Sequence, residues 1–91
     1  MNLVITTLGG NCPVQAEGTV DGAPFYFRAR WGSWRLAIGE NCVGAKRSED
    51  GIWVRKREYG DGRYDAGWMS EDEARAFLFE AAAAYVAGES A

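Results

Sequence analysis

Residues Ala23 to Trp31 read A-P-F-Y-F-R-A-R-W, and their strict alternation decides the fold. Phe25, Phe27, Ala29 and Trp31 fall on one side of a period-two strand, while Tyr26, Arg28 and Arg30 fall on the other. The first set predicts a buried face and the second a displayed one.

The flanking turns extend this assignment. Asp21-Gly22 separates two alternating runs and predicts a two-residue hairpin. That turn pairs Val20 with Ala23, Gly18 with Phe25, Ala16 with Phe27 and Val14 with Ala29, so inward residues meet inward residues throughout. A one-residue slip would destroy the agreement. On the far side, Gly32-Ser33 predicts a second two-residue turn, pairing Trp31 with Trp34, Ala29 with Leu36 and Phe27 with Ile38 on the same face. Glu40 to Gly51, with Gly44, Gly51 and Asn41, reads as a loop. Ile52 to Arg57 follows as a fourth strand, with Ile52 and Val54 inward and Trp53, Arg55 and Arg57 outward; the opposite phase would bury Trp53.

Tyr59 to Gly67 is turn chemistry rich in glycine and aspartate. Ser70 and Glu73 then form a capping-box pattern, with Met69 placed to staple against Ala74 and Glu71, Asp72 and Glu73 suited to the positive end of the helix dipole. Ala74, Phe77, Leu78, Ala81 and Tyr85 make an apolar stripe at helical spacing, and Gly88 stops the helix. Phe79, Ala83 and Val86 form a second stripe, readable as a partly buried flank or a dimer contact. The expected fold is α+β: a single domain over 1–91, with a four-stranded antiparallel meander of order 1-2-3-4 within 12–57, a Gly/Asp loop at 58–69, and a C-terminal helix at 70–87 across one face. Leu3 to Thr7 can add an edge strand.

Composition narrows the chemistry. The 91 residues carry a net charge of −3 and no histidine. Cys12 and Cys42 therefore lack the usual partners for a zinc site or a Cys-His nucleophile. In a cytoplasmic setting both thiols are expected to be reduced, although the sequence alone leaves a disulfide open. No apolar run approaches the roughly 20 residues of a membrane helix, and the opening residues lack the basic region of a signal peptide. Charge is segregated: residues 28–57 carry +5 and residues 58–91 carry −6. The two halves can pair internally or face different partners.

Two surfaces follow as candidates. On the displayed sheet face the expected register sets Arg30 opposite Arg35 and Tyr26 opposite Gly39, with Glu17 beside Tyr26. Like charges placed so are destabilising and call for an anion, internal or external. With Arg28, Arg55, Arg57 and Trp53, this face reads as a solvated salt-bridge surface, a seat for an acidic protein segment, or an aromatic and guanidinium platform for single-stranded nucleic acid. The second surface is acidic: Glu58, Asp61, Asp65, Glu71, Asp72 and Glu73 can imitate phosphate charge, or simply serve a polar turn and a helix N-terminus. Their spacing lacks the D-x-D-x-D-G order of a calcium loop, and Gly60-Asp61-Gly62 lacks the Gly-Lys-Ser/Thr of a phosphate loop. No cofactor is expected.

The segments C-P-V-Q-A-E-G-T-V-D-G-A-P-F-Y-F-R-A-R-W and Y-G-D-G-R-Y-D-A-G-W-M-S-E-D-E-A-R-A-F-L resemble a family of small proteins carried by phages, prophages and mobile elements of proteobacteria. In size, acidity and build the chain is similar to anti-CRISPR proteins. The similarity spans Cys12–Gly39 and Tyr59–Leu78, 48 of the 91 residues, and leaves out Gly9-Gly10 and the Glu40–Gly51 loop. Anti-CRISPR proteins share no common active site, so the resemblance transfers no residue. It implies a non-enzymatic inhibitor, a monomer or homodimer in the host cytoplasm, that binds a Cas protein of a type I effector complex and blocks target-DNA binding or nuclease recruitment. A basic DNA groove on such a complex favours the acidic surface as the contact, while acidic edges of the same complex favour the arginines. The competing expectation is a small nucleic-acid-binding accessory protein that uses the displayed sheet face.

Overall fold

Asp21 and Gly22 take φ values of 49° and 85°, the left-handed backbone of a primed hairpin turn whose twist matches its strands. In the computed structural model, which describes residues 1–49, 51–60 and 65–91, this turn joins β2 (Val14–Val20) to β3 (Ala23–Arg30). The pairing is the expected one, from Val20 opposite Ala23 to Val14 opposite Ala29. Around this hairpin stand β1 (Leu3–Gly9), β4 (Ser33–Ile38) and β5 (Trp53–Glu58), giving an antiparallel sheet of order β1-β2-β3-β4-β5. The sheet thus has five strands rather than four, because the optional edge segment forms and extends to Gly9. Helix α1 (Glu71–Val86) closes the chain, and a short 3₁₀ turn, Asp65–Trp68, interrupts the 58–69 loop.

One face of the sheet holds the core. Val14, Ala16, Phe25, Phe27, Leu36 and Ile38 are buried there against Ala74, Leu78, Ala81 and Ala82 of α1. Burying each large aliphatic or aromatic side chain of this set contributes about 1.5–3 kcal/mol, so a one-residue slip that exposed them is excluded. Gly18 sits where a Cβ would lie 1.8 Å from the Val4 carbonyl oxygen and 2.9 Å from the Phe25 ring. Only glycine lets β1 and Phe25 approach together, beside a bulge between Ile5 and Thr7.

The second hairpin turns one residue earlier than expected. Trp31, at φ 60°, and Gly32 form the turn, and Arg30 rather than Trp31 pairs across it with Ser33. The two-residue shift in partners preserves which face each strand residue occupies but removes Trp31 from the core, leaving it 51% exposed. Packing explains the choice. Trp34 lands opposite Ala29 instead of opposite a second tryptophan, and there it stacks on Phe27 at 5.8 Å and on Phe77 at 5.4 Å. Bulky against small fills the layer.

β5 adopts the phase opposite to the one expected. Ile38 pairs with Trp53, Leu36 with Arg55 and Trp34 with Arg57, which places these three β5 residues on the helix side. Trp53 meets the edge of Tyr85 at 5.7 Å, and its Nε1 donates to the Glu89 carbonyl at 2.9 Å. Ile52 and Val54 instead join a second small cluster with Tyr26, Ala37 and Cys42 on the other sheet face, roofed by the loop after β4. Apolar residues therefore lie on both sides of β5, which is why alternation did not fix its phase.

The helix ends match expectation. Ser70 caps with the reciprocal Glu73 bond of a capping box. At the other end Gly88, at φ 78°, donates to the Tyr85 carbonyl and Glu89 donates to that of Ala84, the Schellman closure. Met69 is buried beside Ala74 in the core, while Phe79 and Val86 of the second stripe stay exposed. The 3₁₀ turn is tied to the sheet by two bonds: the Cys12 amide donates to the Gly67 carbonyl at 2.7 Å and the Ala66 amide to that of Trp31 at 2.8 Å.

Candidate functional site

The open face of the sheet divides in two. The cluster around Tyr26, Ala37, Cys42 and Val54 covers one half. On the other half, Arg28 pairs across the ladder with Arg35, and Arg35 with Lys56. These three cations form one row over β3, β4 and β5. Arg30 lies two residues along β3, its guanidinium 4.8 Å from the centre of the Trp31 ring. Together with Trp31 and Ser33 the four cations line an open depression of about 240 Å³. Among the described residues, none of the four makes an ion pair with a carboxylate. Such a row of like charge costs stability at every cross-strand step and attracts anions.

The expected opposition of Arg30 and Arg35 is therefore replaced by Arg28 opposite Arg35, and Tyr26 faces Ala37 rather than Gly39. Tyr26 is 9% exposed, and its hydroxyl donates to the Gln15 side-chain oxygen at 2.6 Å, so it contributes structure instead of a displayed ring. Glu17 stands opposite Tyr26 as expected. Trp53, Arg55 and Arg57 leave this surface altogether. Arg55 stacks over Trp53 at 5.1 Å and donates from Nη2 to the Ser90 carbonyl at 3.1 Å, while Arg57 Nη1 donates to the carbonyl of Lys56 at 2.9 Å. Lys56 takes their place in the row. The signal for Lys56 lay in Trp53: with that half-buried ring on the helix side, period two carries Lys56 to the open face.

The described acidic candidates gather around Tyr59 and the first turn of α1. Asp61 lies outside the described residues. Asp65 opens the 3₁₀ turn with its carboxylate packed against Gly60. Glu71 and Asp72 flank Arg75 at 3.9 and 4.0 Å. Glu73 accepts from the Tyr59 hydroxyl at 2.7 Å and from the Ser70 amide at 3.1 Å. The Tyr59 hydroxyl, and then the Ser70 amide, hold the Glu73 carboxyl below its ordinary range, and the same bond to Glu73 pushes the Tyr59 phenol up.

The two thiols are free and lie in separate places. Cys42 is buried, with its Sγ 3.7 Å from the Pro24 carbonyl, and burial pushes its thiol up, away from the thiolate a nucleophile needs. Among the described residues no helix is long and apolar enough to cross a membrane. Comparison of the chain with protein families, with curated proteins and with solved structures gives no match.

Proposed function

We propose that this chain is a non-catalytic binding protein that inhibits a larger assembly by contact, and that Arg28, Arg35, Lys56 and Arg30 receive an acidic segment of the partner. The observation that carries the reading is the row itself: three cations directly in register, with no carboxylate partner among the described residues. Acids of the partner would supply the missing counter-charge through charge-assisted hydrogen bonds. The opposite polarity, in which Glu71, Asp72 and Glu73 imitate phosphate, is the weaker reading because Glu73 is held by Tyr59 and the helix cap, and the cationic Arg75 stands beside the exposed Glu71 and Asp72.

The resemblance to anti-CRISPR proteins supplies the partner class, a Cas protein of a type I effector complex. Nucleic acid is the competing ligand for the same row, favoured by Arg30 lying against Trp31 at its rim. Against it, Tyr26 is buried and Trp53 lies on the helix side, which leaves few rings on which bases could stack. The deciding experiment mixes the purified chain with a purified type I surveillance complex and follows target-DNA binding by gel shift. Loss of DNA binding with the native chain, restored with Arg28→Glu/Arg35→Glu and unaffected by Glu71→Lys/Asp72→Lys, is the expected result. Direct binding of single-stranded oligonucleotide, with a steep salt dependence and loss in the same arginine variant, would replace the reading with the nucleic-acid one.

A further inference from the structure

The two edges of the sheet are built differently. At β5 the Val54 amide donates to Ser48 Oγ at 2.8 Å, that hydroxyl donates to the Val54 carbonyl at 3.2 Å, and Arg57 caps the carbonyl of Lys56. A side chain, the loop before it and a run of basic residues thus blunt that edge. β1 carries a bulge between Ile5 and Thr7 but no side-chain cap, covering loop or basic run. The first sixteen residues contain no charged side chain, and among the described residues no loop or side chain hydrogen-bonds to Leu3–Gly9 from outside the sheet. The Asp21 amide donates to the Asn2 carbonyl, so by the antiparallel alternation the amides and carbonyls of Leu3 and Ile5 point away from β2 into the open edge.

The helix adds an apolar shelf. Phe77 leans towards Trp34 and Tyr59, on the β4 and β5 side. Helical spacing of about 100° per residue puts Phe79 and Val86 on the opposite flank, above the β1 side, where they are 59% and 42% exposed. Val4, 47% exposed, continues the apolar surface on the other face of the same edge.

We infer that β1 is a homodimer interface, in which β1 of one chain pairs antiparallel with β1 of a second copy about a two-fold axis and Phe79 and Val86 close over the junction. Edge availability selects the occupant: β5 is capped at Val54 and Lys56, so the open edge that matches β1 is β1 of a second copy, with no like charges to oppose the approach. Pairing β1 with β5 would build an open-ended fibre; pairing β1 with β1 uses both free edges and closes. The association is strand addition, with main-chain bonds supplying affinity and the alternate side chains supplying fit.

Sedimentation of the full chain over a range of concentrations, together with amide hydrogen exchange, tests the inference. The expected result is a concentration-dependent dimer in which the Leu3 and Ile5 amides are protected and lose protection on dilution. Val4→Lys and Phe79→Glu, both at exposed positions, should each yield a monomer with an unchanged circular dichroism spectrum. A single-chain mass at every concentration would overturn the inference. So would a dimer that persists in both variants with the Leu3 and Ile5 amides unprotected. The measurement is independent of any partner and leaves the reading of the basic row untouched.

Discussion

Arg28 and Arg35 stand directly opposite each other on neighbouring strands, with Lys56 next in the same row. Nothing in the core requires this arrangement, since all three side chains leave the sheet on the face away from α1. A like-charged cross-strand pair costs stability, and charge reversal at its centre converts two repulsions into two attractions. Arg35→Glu should therefore stabilise the fold by about 0.5–1 kcal/mol at low salt, raising the melting temperature by about 2–8 °C for a domain of this size. Thermal melts at increasing sodium chloride should show the gap closing as the charges are screened. An Arg35→Glu variant that melts below the native chain at low salt would show that the row is compensated within the molecule.

Gly18 should tolerate no side chain. A Cβ there would lie 1.8 Å from the Val4 carbonyl oxygen, a backbone atom that can move only if β1 separates from β2. Gly18→Ala is expected to cost more than about 3 kcal/mol, read as a lower midpoint in urea unfolding. An alanine variant within 0.5 kcal/mol of the native chain, roughly the scatter of surface substitutions, would refute the close approach.

The β2–β3 hairpin was legible because three local signals agree: alternation, an Asp-Gly turn, and a register that puts Gly18 opposite Phe25. The helix was legible for the same reason, with Ser70, Glu73 and Gly88 marking its ends. The β3–β4 turn was not, because Trp31-Gly32 and Gly32-Ser33 are both admissible turns, and the choice rests on how Trp34 packs against Phe27 and Phe77. Such a contact with the helix, far away in sequence, has no local signature. The same holds for β5, whose phase depends on Trp53 meeting Tyr85 and the C-terminal tail. Of the candidate site, Arg28, Arg30 and Arg35 followed from the central strand pair, whereas Lys56 depended on that unresolved phase.

The bond between Tyr59 and Glu73 gives stability two pH limits. Glu73 has its carboxyl held below the ordinary 4.5 by the Tyr59 hydroxyl and the Ser70 amide. Below that value the unfolded chain binds the proton more readily than the folded one, so the stabilisation is complete above it and is lost as pH falls through the lower, folded value. The Tyr59 phenol is raised above its ordinary 10.0 by Glu73, so its contribution is present below pH 10.0 and is lost as pH rises through the folded value. Tyr59→Phe removes the shared bond. Its melting curve should fall less steeply than that of the native chain at both extremes, while near neutrality it melts at a lower temperature. Identical pH dependence in the two proteins would mean that the bond does not form in solution.

Trp53 should be coupled to the C-terminal tail through its indole nitrogen. Nε1 donates to the Glu89 carbonyl, and the neighbouring Arg55 holds the Ser90 carbonyl, so the two side chains strap residues that extend beyond Gly88, which follows the Ala87 cap of the helix. Trp53→Phe preserves an aromatic ring against Tyr85 and deletes the donor. In the full chain this should cost about 0.5–1.5 kcal/mol, towards the lower end because the bond is exposed. In a chain ending at Gly88 the acceptor is already gone, and the same substitution should cost correspondingly less. The double-mutant cycle isolates the strap, because a contribution from ring packing appears equally in both backgrounds and cancels. Equal costs in the two backgrounds would show that the tail is not held by Trp53, and that the phase of β5 is fixed by its packing on α1 alone.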